Sequence, residues 1–317
     1  MQVFRHLDDI PADFGPTVVS VGNFDGVHHA HKEVVRHMAE RARTFGGKAV
    51  VVTFEPHPLR ILRPDVAPRL LSPLAAKLKL LEKTHVDAVL VLPFTRDLSM
   101  MSAEDFAREV LAERLRAREV HEGYNFHFGH KARGNVDTLA DLGRQFGFEA
   151  KFFPEQLLRG HHVSSSEIRK LIAEGRVSRA RALLGRPFSI LGNPGRGRGY
   201  GHKYTVPTIN FARYDELVPA DGVYITWLRV DSECFEAVTN VGNRPTFGAE
   251  SFAIESHILN FHPIELLPET ELELFFLKRL RSEIKFPSVE ALREQIAKDV
   301  HKARRYFRLA YAMSKRG

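Results

Sequence analysis

The chain has 317 residues, 44% of them hydrophobic and 27% charged, which is the balance of a folded globular protein with room for two cores and excludes a disordered chain. A net charge of +7, from 46 basic and 39 acidic residues, favours an anionic partner, yet short basic clusters occur only at 302–308 and 315–316, which argues against a nucleic-acid-binding tail. One cysteine, Cys234, excludes an intramolecular disulfide and fits a reducing compartment, and its expected role is a small buried side chain. The first ten residues lack the apolar segment of a secretory signal, and apolar runs such as 49–54 and 88–93 are of strand length. The expectation is therefore a cytoplasmic protein without a membrane partner.

Residues 18–21 read as a buried strand running into the turn Gly22-Asn23-Phe24-Asp25-Gly26-Val27-His28, after which His28 and His31 share one side of a helix's first turn. A strand-to-helix turn aims backbone N–H groups and the positive helix end at one point, and two imidazoles at i, i+3 add donors, so the stretch suits a phosphate. An ordinary turn with surface histidines is the alternative. Zinc fits less well, because a helical zinc pair usually stands at i, i+4 around a glutamate. Helical spacing over 32–45 ends at Gly46-Gly47. The continuous apolar run 49–54 suggests a strand of a parallel sheet covered on both faces. Its exit, Phe54-Glu55-Pro56-His57-Pro58, is an extended segment at a strand's carboxyl end, where open α/β sheets bind ligands, or simply a proline-rich strand exit.

A helix over 73–84, a strand over 88–92, an amphipathic helix over 103–116 and a strand over 119–123 continue the βα alternation. Then comes Gly123-Tyr124-Asn125-Phe126-His127-Phe128-Gly129, whose aromatics either fill a core or form a platform for a flat ring, with Asn125 supplying directional hydrogen bonds. After a helix over 136–146 and a strand over 149–153, Ser164-Ser165-Ser166-Glu167 opens another helix. Ordinary N-capping accounts for that run; the functional alternative is a clasp for a triphosphate completed by Arg169.

Around Leu183-Leu184-Gly185-Arg186-Pro187 the pattern changes to short β-type runs over 188–191, 223–228, 235–241, 253–259 and 271–276, with one or two helices over 288–307. This places a domain boundary between 184 and 185, followed by a small antiparallel barrel. Between the first two runs, Gly195, Gly197, Gly199 and Gly201 alternate with Arg196, Arg198 and Tyr200 and lead to His202 and Lys203. That backbone can wrap an anion or act as a flexible linker, and the Walker A ending is missing. The following strand, 204–211, presents Thr208 and Asn210 on one face, two neutral oxygen donors suited to Mg²⁺ when phosphates complete its shell.

In this order the segments resemble bacterial bifunctional riboflavin kinase/FAD synthetase over nearly the whole chain. The resemblance rests on Gly22-Asn23-Phe24-Asp25-Gly26-Val27-His28 with His31, Thr53-Phe54-Glu55-Pro56-His57-Pro58, Asn125-Phe126 with Phe128-Gly129, and Ser164-Ser165-Ser166 with Arg169. In the second half it rests on Leu184-Gly185-Arg186-Pro187, the glycine loop, Pro207-Thr208-Ile209-Asn210, Gly222-Val223-Tyr224, Asn240-Val241-Gly242-Asn243-Arg244-Pro245-Thr246-Phe247 and Glu255-Ser256-His257-Ile258-Leu259. It implies an α/β Rossmann-like nucleotidyltransferase domain over 1–184, which joins FMN and ATP into FAD and pyrophosphate. It also implies a mainly-β six-stranded riboflavin kinase barrel with a C-terminal helix over 185–317, which makes FMN from riboflavin and ATP.

By that resemblance Gly22, Asn23, Phe24, Asp25, His28, His31, Ser164, Ser165, Ser166 and Arg169 hold the ATP of adenylyl transfer, with His28, His31 and Arg169 as its catalytic groups. Phe54, Pro56, His57, Pro58, Asn125 and Phe126 face the flavin. In the kinase half Glu255 is the matched base, Thr208 and Asn210 bind the Mg²⁺–nucleotide, and Gly195, Gly197, Gly199, Gly201 and Lys203 wrap its phosphates. Mg²⁺ is the implied cofactor and ATP the co-substrate; riboflavin, FMN and FAD are the other partners, with no nucleic acid expected. The chain departs from the family pattern at Ala30, Thr205, Ile209 and Asn260. The competing class is a nucleic-acid-binding or regulatory protein on a retained nucleotidyltransferase scaffold, which would show salt-dependent RNA or DNA binding and no flavin turnover.

Overall fold

The computed structural model describes residues 1–195, 208–243, 252–262, 264 and 266–314. By their contacts the residues divide into two compact units, Met1–Ser165 and Ser166–Gly317. The sequence pattern changes later, at 184/185. The segment from 166 to 184 packs within the second unit: Ser178 Oγ donates to the Leu277 carbonyl at 3.1 Å, and Gly175 lies against Tyr224 and Arg279.

The first unit is built on β1 (Gln2–Phe4), β2 (Thr17–Val21), β3 (Lys48–Glu55), β4 (Ala88–Pro93), β5 (Ala117–Gly123) and β6 (Glu149–Phe153). They form one parallel sheet in the order β1-β4-β3-β2-β5-β6. Both faces of its centre are covered, as the unbroken apolar runs require. On one face Val19, Val21, Val50, Val52 and Leu90 pack against Phe106, Val110 and Leu111 of helix Phe106–Arg114 and Leu139 of helix Val136–Phe146. On the other, Val18, Ala49, Val51 and Val89 meet Val35, Met38 and Ala42 of helix His29–Thr44 and Leu81 of helix Leu74–Glu82.

The amphipathic segment expected over 103–116 forms a single α-turn, Ala103–Asp105, that continues as the wider π-helix Phe106–Arg114, closed by Leu115 N–H donating to the Val110 carbonyl at 3.0 Å. A small hairpin, β7 (Leu157–Leu158) with β8 (His161–His162), precedes helix Ser165–Ala173.

The chain runs from β2 outward through β3 to β4, then returns to β5 and β6 on the other side of β2. This reversal makes the carboxyl ends of β2 and β5 the topological switch point, where such sheets open a crevice. Backbone pairing between the two strands reaches only Val19 with Val120. Beyond it the strands part, and the Glu122 carboxyl takes the Val21 N–H at 2.5 Å in place of a ladder partner.

The second unit holds β9 (Phe188–Gly192), β10 (Thr208–Asn210), β11 (Gly222–Val230), β12 (Glu233–Asn243), β13 (Phe252–Ile258) and β14 (Leu272–Arg281), antiparallel in the order β10-β13-β12-β11-β14-β9. Its two edges meet just past β9. Gly195 N–H donates to the Asn210 carbonyl at 2.8 Å and Ala212 N–H to the Asn193 carbonyl at 2.9 Å. A Cβ on Gly195 would stand 2.5 Å from the Phe211 carbonyl oxygen, so this seam needs glycine.

Inside the curled sheet, Thr226, Thr239 and Ser256 link side chain to side chain at 2.7 and 2.9 Å among Tyr224, Phe188 and Phe276. The helix expected over 288–307 is one helix, Val289–Ser314, whose Ala303 and Phe307 pack on Val223, Ile225, Val238 and Leu277. Cys234 is exposed rather than buried. It stands beside the tight turn joining β11 to β12, where Asp231 has φ of 49° and the side chains at the hairpin tip reach solvent. Among the described residues no helix is long and apolar enough to cross a membrane.

Candidate functional site

At the end of β2 the turn 22–28 is fixed by one hydrogen bond of its own and by others to β3 and residues 71–72. Gly22 N–H donates to the Val52 carbonyl at 2.9 Å, Val27 N–H to Phe24 at 3.2 Å and Gly26 N–H to Ser72 Oγ at 2.8 Å. The Asp25 carboxylate accepts Leu71 N–H at 3.1 Å and Ser72 N–H at 3.0 Å, so its charge braces the loop against residues 71–72. Phe24 and Val27 both take left-handed backbone angles, φ 47° and 39°. That conformation disfavours any side chain and a β-branched one most, and here full burial of both residues holds it.

His28 is the N-cap of helix His29–Thr44, its Nδ1 accepting His31 N–H at 3.5 Å. The two imidazoles stack with centroids 3.6 Å apart, and the Phe24 ring lies 4.8 Å from that of His31. Burial, then the neighbouring His28 and Lys77, hold His31 well below the usual histidine range, so its ring is neutral at pH 7. Its Nδ1 is buried and has no hydrogen-bond partner among the described residues. Such an atom is costly unless a ligand or water completes it.

Two aromatic segments flank this pair. At the end of β3, Phe54 packs edge-on to Phe94 at 5.6 Å, and the peptide bond to Pro56 is cis. His57 is buried and caps helix Pro58–Leu62 by accepting Leu59 N–H at 3.2 Å. Past β5, Phe126 stacks on buried Phe128 at 5.2 Å, while Asn125 is exposed. Core filling accounts for Phe128, Phe126 is partly buried against the same core, and Asn125 is left exposed at the strand end. Ser164 donates its N–H to the His162 carbonyl at 3.1 Å, and Ser165 Oγ donates to the Asp25 carbonyl at 2.9 Å, which ties the serine run to the turn. Ser166 and Arg169 belong to the second unit, where Arg169 Nη1 donates to Ser166 Oγ at 3.5 Å.

Sequence reasoning passed over Lys77. It lies on the inward side of helix Leu74–Glu82 with Leu81, 4% exposed, and its Nζ donates to Thr53 Oγ1 at 3.2 Å. The signal was present in the sequence: a lysine occupies a position where helical periodicity calls for an apolar residue.

In the second unit the strand register aligns the expected kinase residues. Asn210 stands opposite Glu255 and Thr208 opposite His257, so all four share one face of the sheet with Asn240, the partner of Glu255 on β12. Ile209 and Ser256 point to the other face and are buried, which is how the barrel accommodates isoleucine at 209. Gly195 is present at the seam with its N–H committed to Asn210. Gly197, Gly199, Gly201, Lys203 and Thr205 lie outside the described residues. Among the described residues no group of three or more His, Cys, Asp or Glu side chains is placed to hold a metal ion.

A parallel sheet with a histidine turn at its switch point, followed by a closed antiparallel sheet bearing Thr, Asn and Glu on one face, defines a nucleotidyltransferase-type unit joined to a flavokinase-type unit. The FAD synthetase family matches residues 10–167 and the riboflavin kinase family residues 184–307. Over most of its length the chain is similar to bifunctional riboflavin kinase/FMN adenylyltransferases. It is 34% identical to the one from Pseudomonas fluorescens, covering 96% of this chain and 97% of that protein. It is 31% identical to that of Escherichia coli K12, covering 92% and 93%. A crystal structure described as a macrolide-efflux protein from Streptococcus pneumoniae superposes with a TM-score of 0.84 at 27% identity, covering 95% of this chain and 98% of that one. The chain belongs to the bifunctional riboflavin kinase/FMN adenylyltransferase family.

Proposed function

We propose that the chain catalyses two successive steps of flavin-cofactor synthesis: riboflavin and ATP to FMN and ADP in the second unit, then FMN and ATP to FAD and pyrophosphate in the first. The observation that carries the adenylyltransferase half is the stacked His28–His31 pair at the switch point, with a buried His31 Nδ1 that has no partner among the described residues, and aromatic segments on either side. In this reading the histidines, with Gly22, Asn23, Phe24, Asp25, Ser164 and Ser165, hold the ATP phosphates. Phe54, Pro56, His57, Pro58, Asn125 and Phe126 receive the flavin. The phosphate roles of Ser166 and Arg169 rest on the family resemblance alone. No covalent intermediate is needed: the FMN phosphate attacks the α-phosphorus, and the protein positions two polyanions and offsets their charge.

In the kinase half Glu255 acts as base toward the ribityl hydroxyl. Asn210 directly opposite it, and Thr208 two residues along the same face, are hard oxygen donors that fit Mg²⁺. Bound there with the nucleotide, Mg²⁺ neutralises phosphate charge. The glycine loop from Gly195 through Gly197, Gly199 and Gly201 to Lys203 carries over as the phosphate wrap. The partners are small molecules in the cytoplasm, without nucleic acid.

The test is purified protein given riboflavin, ATP and Mg²⁺, with FMN and then FAD followed by chromatography. His28→Ala combined with His31→Ala should stop FAD formation and leave FMN formation intact. Loss of both activities in a folded double variant contradicts separate sites, and absence of any flavin turnover by the unaltered protein overturns the whole reading.

A further inference from the structure

The first unit contains a buried cation with no ion-pair partner in contact among the described residues. Among the described residues Lys77 Nζ has one hydrogen bond, to Thr53 Oγ1 at 3.2 Å, and no carboxylate within ion-pair distance. An ammonium carries three donors and a full charge, and burying it with one neutral partner is unfavourable unless something else binds there. Asp25 and Glu55 are close enough to favour the charged form, and burial outweighs both, holding Lys77 below the usual lysine range. The Asp25 carboxylate is turned toward Leu71 N–H, Ser72 N–H and Ser72 Oγ.

Where Lys77 stands matters as much as its isolation. Thr53 Oγ1, which accepts from Lys77, donates in turn to the Asn23 carbonyl at 3.2 Å, so the ammonium sits against the turn between Gly22 and His28. Its charge is felt by His31, whose buried Nδ1 also lacks a partner among the described residues. Two neighbouring polar groups, one cationic and one neutral, are thus left incomplete at the same turn. Neutral His31 supplies no charge, and the N–H groups of Gly22, Gly26 and Val27 are committed to the Val52 carbonyl, Ser72 Oγ and the Phe24 carbonyl. A reaction that brings two phosphate-bearing anions together needs positive charge inside the site.

We propose that the Lys77 ammonium is a phosphate-contacting catalytic group of the adenylyl-transfer site, held by Thr53 until phosphoryl oxygens of the substrates replace that threonine. The assignment rests on the adenylyltransferase reading of this unit. Those oxygens come from the ATP chain or from FMN, and separate binding and kinetic measurements distinguish the two. The rival role is structural, with Lys77 balancing Asp25 and Glu55 in the resting fold.

The experiment uses the full-length protein with Lys77→Met, which keeps the length of the stem and removes the charge, and Lys77→Arg, which keeps the charge with a different shape. Pyrophosphate binding, FAD formation with separate KM values for ATP and FMN, FMN formation from riboflavin, and thermal midpoints are measured. FAD formation by Lys77→Met should fall about 100-fold or more, in the range seen on removing one charge-stabilising donor. FMN formation should stay within about twofold and the midpoint should not fall, because a desolvated charge has been replaced by an apolar chain. Lys77→Arg should recover part of the loss.

Weakened pyrophosphate binding assigns the contact to the ATP phosphates. Unchanged pyrophosphate binding with a raised KM for FMN assigns it to the flavin phosphate. FAD formation and pyrophosphate binding as in the unaltered protein overturn the proposal, as does a lowered midpoint with both losses scaling to it, which is the structural role. If the unaltered protein makes no FAD, the adenylyltransferase reading fails; pyrophosphate bound by it and not by Lys77→Met then still locates the anion site at Lys77.

Discussion

Glu119 offers the sharpest test of how the first unit is held together. Its carboxylate is 2% exposed and accepts hydrogen bonds from Arg41 Nε at 3.0 Å, His121 Nε2 at 2.8 Å and Lys151 Nζ at 3.0 Å. Burial by itself pushes the carboxyl up, but the bonds from Arg41, His121 and Lys151 outweigh it and hold the group at about 2. Against an ordinary glutamate near 4.3, and at about 1.36 kcal/mol per tenfold change, this corresponds to about 3 kcal/mol of stability at pH 7. Because the folded-state value lies below the unfolded one, the contribution is complete above about pH 5. It drops to about 1.4 kcal/mol at pH 3 and vanishes below about pH 2.

Glu119→Gln keeps the shape and removes the charge. Arg41 and Lys151 retain 44% and 30% exposure of their side chains and can rehydrate, so neither is left as a stranded buried charge. The expected loss at pH 7 is about 3 kcal/mol, narrowing as the pH falls. Urea unfolding followed by circular dichroism at pH 7, 5 and 3 measures it. The single tryptophan, Trp227, lies on β11 in the second unit, so its fluorescence is an internal control that should not move. Coincident first-unit transitions at pH 7, or a difference as large at pH 3 as at pH 7, would refute the reasoning.

Glu122 should behave oppositely. Burial, only partly offset by the Val21 N–H, pushes its carboxyl well above the usual range, so the folded protein keeps a proton that the unfolded chain releases and stability falls as the pH rises past about 4.5. Glu122→Gln, neutral throughout, should raise the thermal midpoint of the first unit at pH 8, with the gain closing toward pH 4; a gain independent of pH would contradict this. In the second unit, Asp299 pairs with Arg281 Nε at 2.9 Å and accepts from Gln295 at 3.0 Å, almost wholly buried. Asp299→Ala should destabilise that unit by about 3–5 kcal/mol. Trp227 fluorescence should report it directly, since that ring stacks on Phe307 of the same helix at 6.4 Å; an unchanged urea midpoint would show that the pair is not structural.

The strands of the first unit were legible because a sheet covered on both faces demands unbroken apolar runs, and β6 and helix Val136–Phe146 coincide with their sequence readings. The short edge strand β1 went unseen: three residues, Gln2 to Phe4, give no period to read. In the second unit the runs were visible but their register was not. That Asn210 faces Glu255, and that the Gly195 N–H closes the seam, depend on long-range pairing that no local pattern encodes. Cys234 was misjudged because cysteine is usually buried, whereas position in a hairpin decided its exposure.

On the adenylyltransferase reading, the largest gap between sequence and site lies in which groups would meet the phosphate. A glycine-punctuated strand-to-helix turn suggests that the backbone does the binding. Here Gly22, Gly26 and Val27 use their N–H groups to fix the loop, and Phe24 and Val27 hold left-handed angles to do it. Rigidity gained in this way commits those three donors, and on the adenylyltransferase reading proposed above side chains from other elements join in the contact with the anion. His31 arrives from the helix behind the loop, Lys77 from a helix nearly fifty residues on, and Thr53 from the neighbouring strand links Lys77 back to Asn23. A loop built like this is pre-organised but electrically incomplete. That places the charge needed for adenylyl transfer in a residue whose only mark in the sequence is a lysine on the wrong side of a helix.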